Sequence, residues 1–339
     1  MENSRRIDGA GLFAVLAAAL LPVLSSGAQA AQRVSGPYEH HNLAVYLVHA
    51  DGATGSVIGE VVTLDAALAA GHVVLHETGN VSQLSIENTS RHQTVFVQAG
   101  DIVKGGKQDR VLTQDLILRP RSGQVSIDAF CVESGRWSAR QGEEVSSFKS
   151  SKKALSSKAL KMAARSAKSQ QEVWREVEVL QDRLSDALKT PVASPKSKTS
   201  LQLSLENDQL AETKKVYLEA LAPLGSDHDD AIGFAIAING AIQTAEVYSQ
   251  PRLFRALWAK QLDAAATEAI ASLRSAGPPA PPPAAVNAFL RTAQRGNESV
   301  DDRPDPARSA VRETRETVFF ESRTNEAPET WLHRSYIAK

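Results

Sequence analysis

From residue 43 to residue 132, apolar and polar positions alternate with a short period. NLAVYLVHA, HVVLHETG, VSQLSIENTS, QTVFVQAG, RVLTQDLILRP and QVSIDAFCV are β-branched or alternating runs cut by Gly, Asn, Asp and Ser. That is the pattern of strands. They follow one another too closely for helical crossovers, so the pattern predicts antiparallel pairing in a sandwich or barrel-like part. One helical turn interrupts them: LDAALAAG, with Thr63 as its cap and Gly71 as its stop.

The period then lengthens. Val173, Val177, Leu180, Leu184 and Ala187 repeat at alternating four and three, with Trp174 and Leu188 widening the face, which predicts an amphipathic helix docked on the body of the protein. Before it, the Lys- and Ser-rich stretch from Phe148 to Ser169 reads as a solvated, mobile connector. After it, Thr190 to Ser200 reads as a polar linker with Pro191 and Pro195. NDQLAETKKVYLEALAPL is a further helix. AIGFAIAI and AIQTAEVYS flank Asn239-Gly240, the pair that best supplies the two positive φ angles of a type I′ hairpin. The next helix has Ser249 available as cap, Pro251 in its first turn and an apolar face of Leu253, Phe254, Leu257, Trp258 and Leu262. GPPAPPP reads as a stiff spacer, and ETVFFES and TWLHRSYIA as closing strands. The fold class expected is α+β. Its segments are residues 31–148 (strand-rich), 149–200 (connector, helix and linker), 201–276 (α+β) and 277–339 (spacer and strands).

Residues 1–30 change the picture of where the chain acts. Arg5 and Arg6, then GLFAVLAAALLPVLSSG, then Ala28-Gln29-Ala30 form a basic head, a short apolar core and a small-residue cleavage pattern. This is the form of a secretory signal, so the expectation is an exported protein, periplasmic or secreted, cut near Ala30. No second stretch is apolar enough to span a bilayer. The formal net charge of −1 argues against a general nucleic-acid partner. A single cysteine, Cys131, excludes an intramolecular disulfide, so stability must come from packing.

Candidate chemistry concentrates in QAGDIVKGGKQDRVL. Gly105 and Gly106 allow the chain to turn sharply with amides facing outward, beside Lys104, Lys107 and Arg110. An arginine fork, two lysine point charges and the amide and carbonyl of Gln108 suit a carboxylate or phosphate. The opposite reading is a charged turn whose ions pair among themselves. CVESGRW, one strand later, adds Glu133, Arg136 and Trp137, a planar aromatic beside an arginine that suits a ring or sugar. Asp109 or Glu133 are the acid/base candidates, and Cys131 a remote nucleophile candidate. His72 and His76 are about 13 Å apart on a strand, too far to share one ion alone. His228 with Asp227, Asp229 and Asp230 reads as a solvated acidic loop rather than a cation site. No G-x-S-x-G elbow supports a serine hydrolase. Nothing here demands a metal or cofactor.

GDIVKGGKQDR, FCVESGRW, the Q-x-x-V-W of Gln170–Trp174 and the strands around Asn239-Gly240 with LFRALW after them resemble the ARPP domain family, the ARG-and-rhodanese-phosphatase-superfamily-associated protein domain. The resemblance runs from about His41 to Ala271. It carries no established activity and implies at most a link to nucleotide or phosphate ligands. The function expected is an exported binding or accessory module for an anionic small molecule or a partner's acidic group. The alternatives are an enzyme acting on a phosphate- or ribose-containing substrate and a structural interaction protein.

Overall fold

A computed structural model of the chain describes residues 33–50, 59–135, 148–274, 277–301, 307–324 and 330–339. In chain order the elements are β1 (Val34–His40), β2 (Leu43–His49), β3 (Val61–Thr63), α1 (Leu64–Ala69), β4 (Val73–Glu77), β5 (Gln83–Asn88), β6 (Thr94–Val97), β7 (Asp101–Gly105), β8 (Arg110–Leu112), β9 (Leu116–Leu118) and β10 (Gln124–Cys131). There follow β11 (Phe148–Ala154), α2 (Lys158–Arg165), α3 (Gln170–Leu188), α4 (Leu201–Leu205), α5 (Asp208–Leu221), β12 (Ala231–Ile238), β13 (Ala241–Tyr248), α6 (Pro251–Ala271), α7 (Pro283–Gln294), β14 (Asn297–Asp301), β15 (Ala307–Glu313), β16 (Thr317–Thr324) and β17 (Trp331–Ala338). The fold is α+β.

Eight strands form one antiparallel sheet in the order β1-β2-β12-β13-β17-β16-β15-β14. β2 and β12 are apolar on both faces because both faces are covered. Leu43, Val45 and Leu47 of β2, with Phe234, Ile236 and Ile238 of β12, pack against the apolar faces of α3, α5 and α6. Ala44, Tyr46 and Val48, with Ala235 and Ala237, pack on the other side against Val286, Leu290 and Ala293 of α7. Two-sided burial explains why LAVYLVH and AIGFAIAI are continuous rather than alternating runs. The first strands of the chain thus share a sheet with the last, and residues 31–339 form one compact unit.

A second sheet, β11-β7-β8-β10-β5-β4, curls on itself. Glu77 at the end of β4 reaches the β7–β8 turn, and Phe148 at the start of β11 lies beside the same turn. Its interior is a separate apolar cluster with Leu75, Leu84, Ile86, Val103, Leu112, Ile127 and Phe148, shared with β6 and β9. The short sheet β3-β6-β9 contributes the one parallel pair among the described strands, β3 with β6.

Local signals hold where local chemistry decides. Thr63 accepts the amide of Ala66 at the start of α1. Asn239 and Gly240 take φ of 50° and 75°, as the β12–β13 turn requires. Three expectations need correction. The lysine-rich stretch is ordered as β11 and α2, because every third residue of FKSSKKA (Phe148, Ser151, Ala154) is buried and Lys153 and Lys161 find Asp263 and Glu246 at 2.8 and 2.9 Å. Ser249 does not cap α6; Gln250 holds that position without a side-chain capping bond, and the Ser249 hydroxyl is buried without a hydrogen-bond partner among the described residues. The proline spacer ends in a helix, since Pro283 occupies the first turn of α7, where a missing N–H costs nothing. Beyond α7 the chain adds β14 and β15, β14 pairing with β15 and β15 with β16. No described helix is long and apolar enough to cross a membrane.

Candidate functional site

The GGKQDR hairpin is built by two positive-φ glycines, Gly105 at 120° and Gly106 at 58°. They turn β7 into β8 so that Val103 pairs with Arg110, and Arg110 in turn pairs with Cys131 of β10. Arg110 is buried, 1% exposed. One of its Nη1 hydrogens goes to Gln108 Oε1 at 3.3 Å, and Nη1 also contacts the Cys131 thiol. Nη2 lies 3.6 Å from Glu77 Oε2, and Nε has no hydrogen-bond partner among the described residues. Glu77 Oε1 also accepts the Lys107 amide at 3.2 Å. The cradle of turn amide and guanidinium therefore already holds an anion, and the anion is the chain's own.

The remaining motif residues close around this pair. Asp109 is buried and accepts the Gly105 amide at 3.2 Å. Gln108 donates to the Glu133 carbonyl at 3.4 Å, while the buried Glu133 carboxylate accepts the Ser197 hydroxyl. Gln170 brackets Cys131, accepting its amide at 2.8 Å and donating to its carbonyl at 2.9 Å. That contact is why the Q-x-x-V-W segment and FCVES belong together. Burial pushes the Cys131 thiol up, against the pull of Arg110, so the thiol rather than the thiolate is favoured. Of the two lysines, the half-buried Lys104 pairs with Glu206 at 2.7 Å and Lys107 faces solvent. Arg136 and Trp137 lie outside the described residues.

A methyl group on Gly106 would sit 2.5 Å from the Phe148 ring and 2.7 Å from Glu77 Oε1, at a φ that L side chains rarely adopt. Gly106→Ala should therefore cost about 2–3 kcal/mol, from strain and lost packing. Denaturant unfolding measures it; a loss below about 0.5 kcal/mol would mean that the turn relaxes freely.

Sequence reasoning missed two further groups. One is a buried ionic network where the loop between β8 and β9 meets the large sheet. His333 Nδ1 lies 2.7 Å from Asp115 Oδ2 and its Nε2 lies 3.0 Å from Glu246 Oε2. Lys161 pairs with Glu246 at 2.9 Å, Ser322 donates to Asp115 at 2.6 Å, and Tyr248 stacks on the imidazole at 4.9 Å. Burial alone would lower the His333 pKa, but Asp115 and Glu246 outweigh it and hold it at about 9. Burial would raise both carboxylates; instead His333 and Arg165 hold Asp115 well below its ordinary range, and Lys161 and His333 hold Glu246 at about 2. Nearby, Lys260 bridges Asp65 at 2.6 Å and Asp101 at 3.0 Å, and Gln98 accepts from Tyr248 at 3.1 Å. The start of QAGDIVKGGKQDR thus serves this interior and its end serves the hairpin.

The other is a cleft of about 310 Å³ between α2, α3, the end of α6 and the Asn239-Gly240 hairpin. Lys158, Arg183 and Arg274 border it, with Glu176, Glu268, Asn239 and Gln243. Among the described residues none of the three cations is in a salt bridge. Glu268 accepts the Lys158 amide at 2.8 Å, and burial raises its pKa. The signal in sequence was only scattered: a lysine after a Ser cap, one arginine on the polar side of α3, and one past α6. No group of three or more His, Cys, Asp or Glu among the described residues is placed to hold a metal ion.

A family profile described as the ARG and Rhodanese-Phosphatase-superfamily-associated Protein domain, ARPP-1, matches residues 31–337. No curated protein and no solved structure matches the chain.

Proposed function

We propose, from the premise that the chain belongs to this family over nearly its whole length, that it is a binding module for an anionic small molecule held in the Lys158–Arg183–Arg274 cleft. We infer from residues 1–30 that it acts after export. The observation that carries the reading is the convergence on one concave volume of ligand size of three cations that have no salt-bridge partner among the described residues. The arginines would fork a carboxylate or phosphate and Lys158 would add a point charge, while Asn239 and Gln243 offer neutral donors and acceptors. The GGKQDR hairpin supports the reading less well, because Glu77 takes up its amide and guanidinium.

A thermal-shift series with inorganic phosphate, a nucleoside monophosphate and a dicarboxylate tests this. A bound anion should raise the unfolding midpoint with its concentration. Arg183→Ala and Arg274→Ala should each weaken that ligand by about tenfold, the worth of a charge-assisted bond. Lys107→Ala should leave it unchanged; a loss at Lys107 instead would return the site to the hairpin. If no anion moves the wild-type midpoint, the binding reading fails at either place.

A further inference from the structure

Three strands at one edge of the large sheet bring together residues that are far apart in the chain. β1 is the edge strand, β2 its neighbour and β12 the next. Val34 pairs with Val48, and the His49 amide donates to the Arg33 carbonyl at 2.9 Å, so Ser35 is the diagonal, same-face neighbour of His49. Ala231 pairs with His49 from the other side, which sets Asp230 beside the imidazole. Ser35 Oγ lies 2.7 Å from His49 Nε2, and His49 Nδ1 lies 2.9 Å from Asp230 Oδ1. The other carboxylate oxygen of Asp230 is held by Arg33. Tyr38 Oη stands 3.3 Å from Ser35 Oγ and 3.4 Å from His228 Nε2.

The geometry points to a serine–histidine–aspartate acyl-transfer site at Ser35, His49 and Asp230. It is independent of the anion cleft. The arrangement has the order such chemistry needs: the carboxylate fixes the tautomer with hydrogen on Nδ1, leaving the Nε2 lone pair facing the hydroxyl. His49 is 1% exposed, so its ring is locked in place, whereas Ser35 is only half-buried and can meet a substrate. The carboxylate holds the imidazole and is itself held below its usual range, chiefly by the hydrogen bond from His49.

The reaction follows from these positions. Ser35 Oγ attacks an ester carbonyl carbon as its proton passes to His49 Nε2, and the carbonyl π pair moves onto oxygen, within reach of the Tyr38 hydroxyl as donor. Collapse re-forms the carbonyl and breaks the C–O bond to the leaving alkoxide, which takes the proton from His49 and departs as an alcohol. Water, giving a proton to His49, then cleaves the acyl-serine, and that proton returns to Ser35 as the acid leaves. The substrate class is a small carboxylic ester rather than an amide. The Asp230 side chain is 49% exposed, so its support of the imidazolium is screened by water and suits a good leaving group. No sequence motif announces the site, because residues 35, 49 and 230 meet only through strand pairing.

The test uses the whole chain, 4-nitrophenyl acetate and an alkyl fluorophosphonate, with intact-mass and peptide mapping. The proposal expects turnover of the ester and a single phosphonyl adduct on Ser35. Ser35→Ala should abolish both, and His49→Asn should slow both by about a thousandfold or more. Asp230→Asn should cost about 10–100-fold, less than a buried aspartate would. A Ser35→Cys variant supplies a second readout, since a thiol beside His49 should react with iodoacetamide far faster than the buried Cys131. The idea is overturned if natively folded wild type neither turns over ester nor takes the phosphonate. It is equally overturned if the adduct maps elsewhere, or if Ser35→Ala keeps the activity while its circular dichroism is unchanged.

Discussion

Asp115→Ala should lower the unfolding free energy by about 3–5 kcal/mol, with a drop in Tm on the order of 10 °C. The carboxylate is fully buried and faces both His333 and Arg165. Its removal leaves cationic groups without their counter-charge in a medium that solvates them poorly. The pair Asp115→Leu with His333→Phe should recover part of the loss, because the ring position is lined by Tyr248 and Phe96 and accepts an aromatic. The same network gives stability a pH signature. His333 has a folded pKa near 9 against an ordinary 6.5, so its contribution is complete below 6.5 and is lost as pH climbs through 9. Asp115 and Glu246 are depressed, so theirs is complete above the ordinary carboxylate range and is lost as pH falls toward 2. The alkaline loss should be on the order of 3 kcal/mol. Denaturant midpoints from pH 5 to 10 measure it, and His333→Phe should flatten the slope; an equal slope in that variant would assign it to other groups.

Arg110→Ala should cost about 3 kcal/mol, whereas Arg110→Met should cost about 1 kcal/mol or less. The alanine leaves a cavity beside Gln108 and Cys131. The methionine fills the space without a cation to desolvate. The guanidinium is imperfectly compensated, with Nε unpartnered among the described residues and Glu77 3.6 Å away, so the charge itself adds little and the volume much. Because Cys131 reacts only when its surroundings open, its rate with a disulfide reagent should rise about a hundredfold in the alanine variant. Similar losses for alanine and methionine would mean that the ion pair, not the packing, holds the hairpin.

What was legible in the sequence was what short range decides. The apolar runs of β2 and β12, the Thr63 cap and the Asn239-Gly240 turn each carry their cause within a few residues. β11 and α2 escaped because their lysines are long stems that reach Asp263 and Glu246 on distant elements, a fate that composition does not record. α7 escaped because the prolines that forbid a helix interior also suit a helix start. At the hairpin, the glycines and the cluster were readable, but not that the chain would supply its own anion from β4. Glu246 and His333 are brought together by the pairing of β13 with β17, and Asp115 joins them from the loop between β8 and β9, which no local pattern announces.

The large sheet also fixes an order of assembly. Residue 43 pairs with residue 238, and β13 meets β17 through Thr244 and Ile337. Until the C-terminal third of the chain has been synthesised, β2 lacks its partner on one side; until β17 arrives, β13 is a bare edge rich in apolar side chains. Such an intermediate must close long loops before it gains stability, and meanwhile it offers a template to any other unfinished copy. Yield on refolding should therefore be set by chain concentration more than by the final stability of the fold.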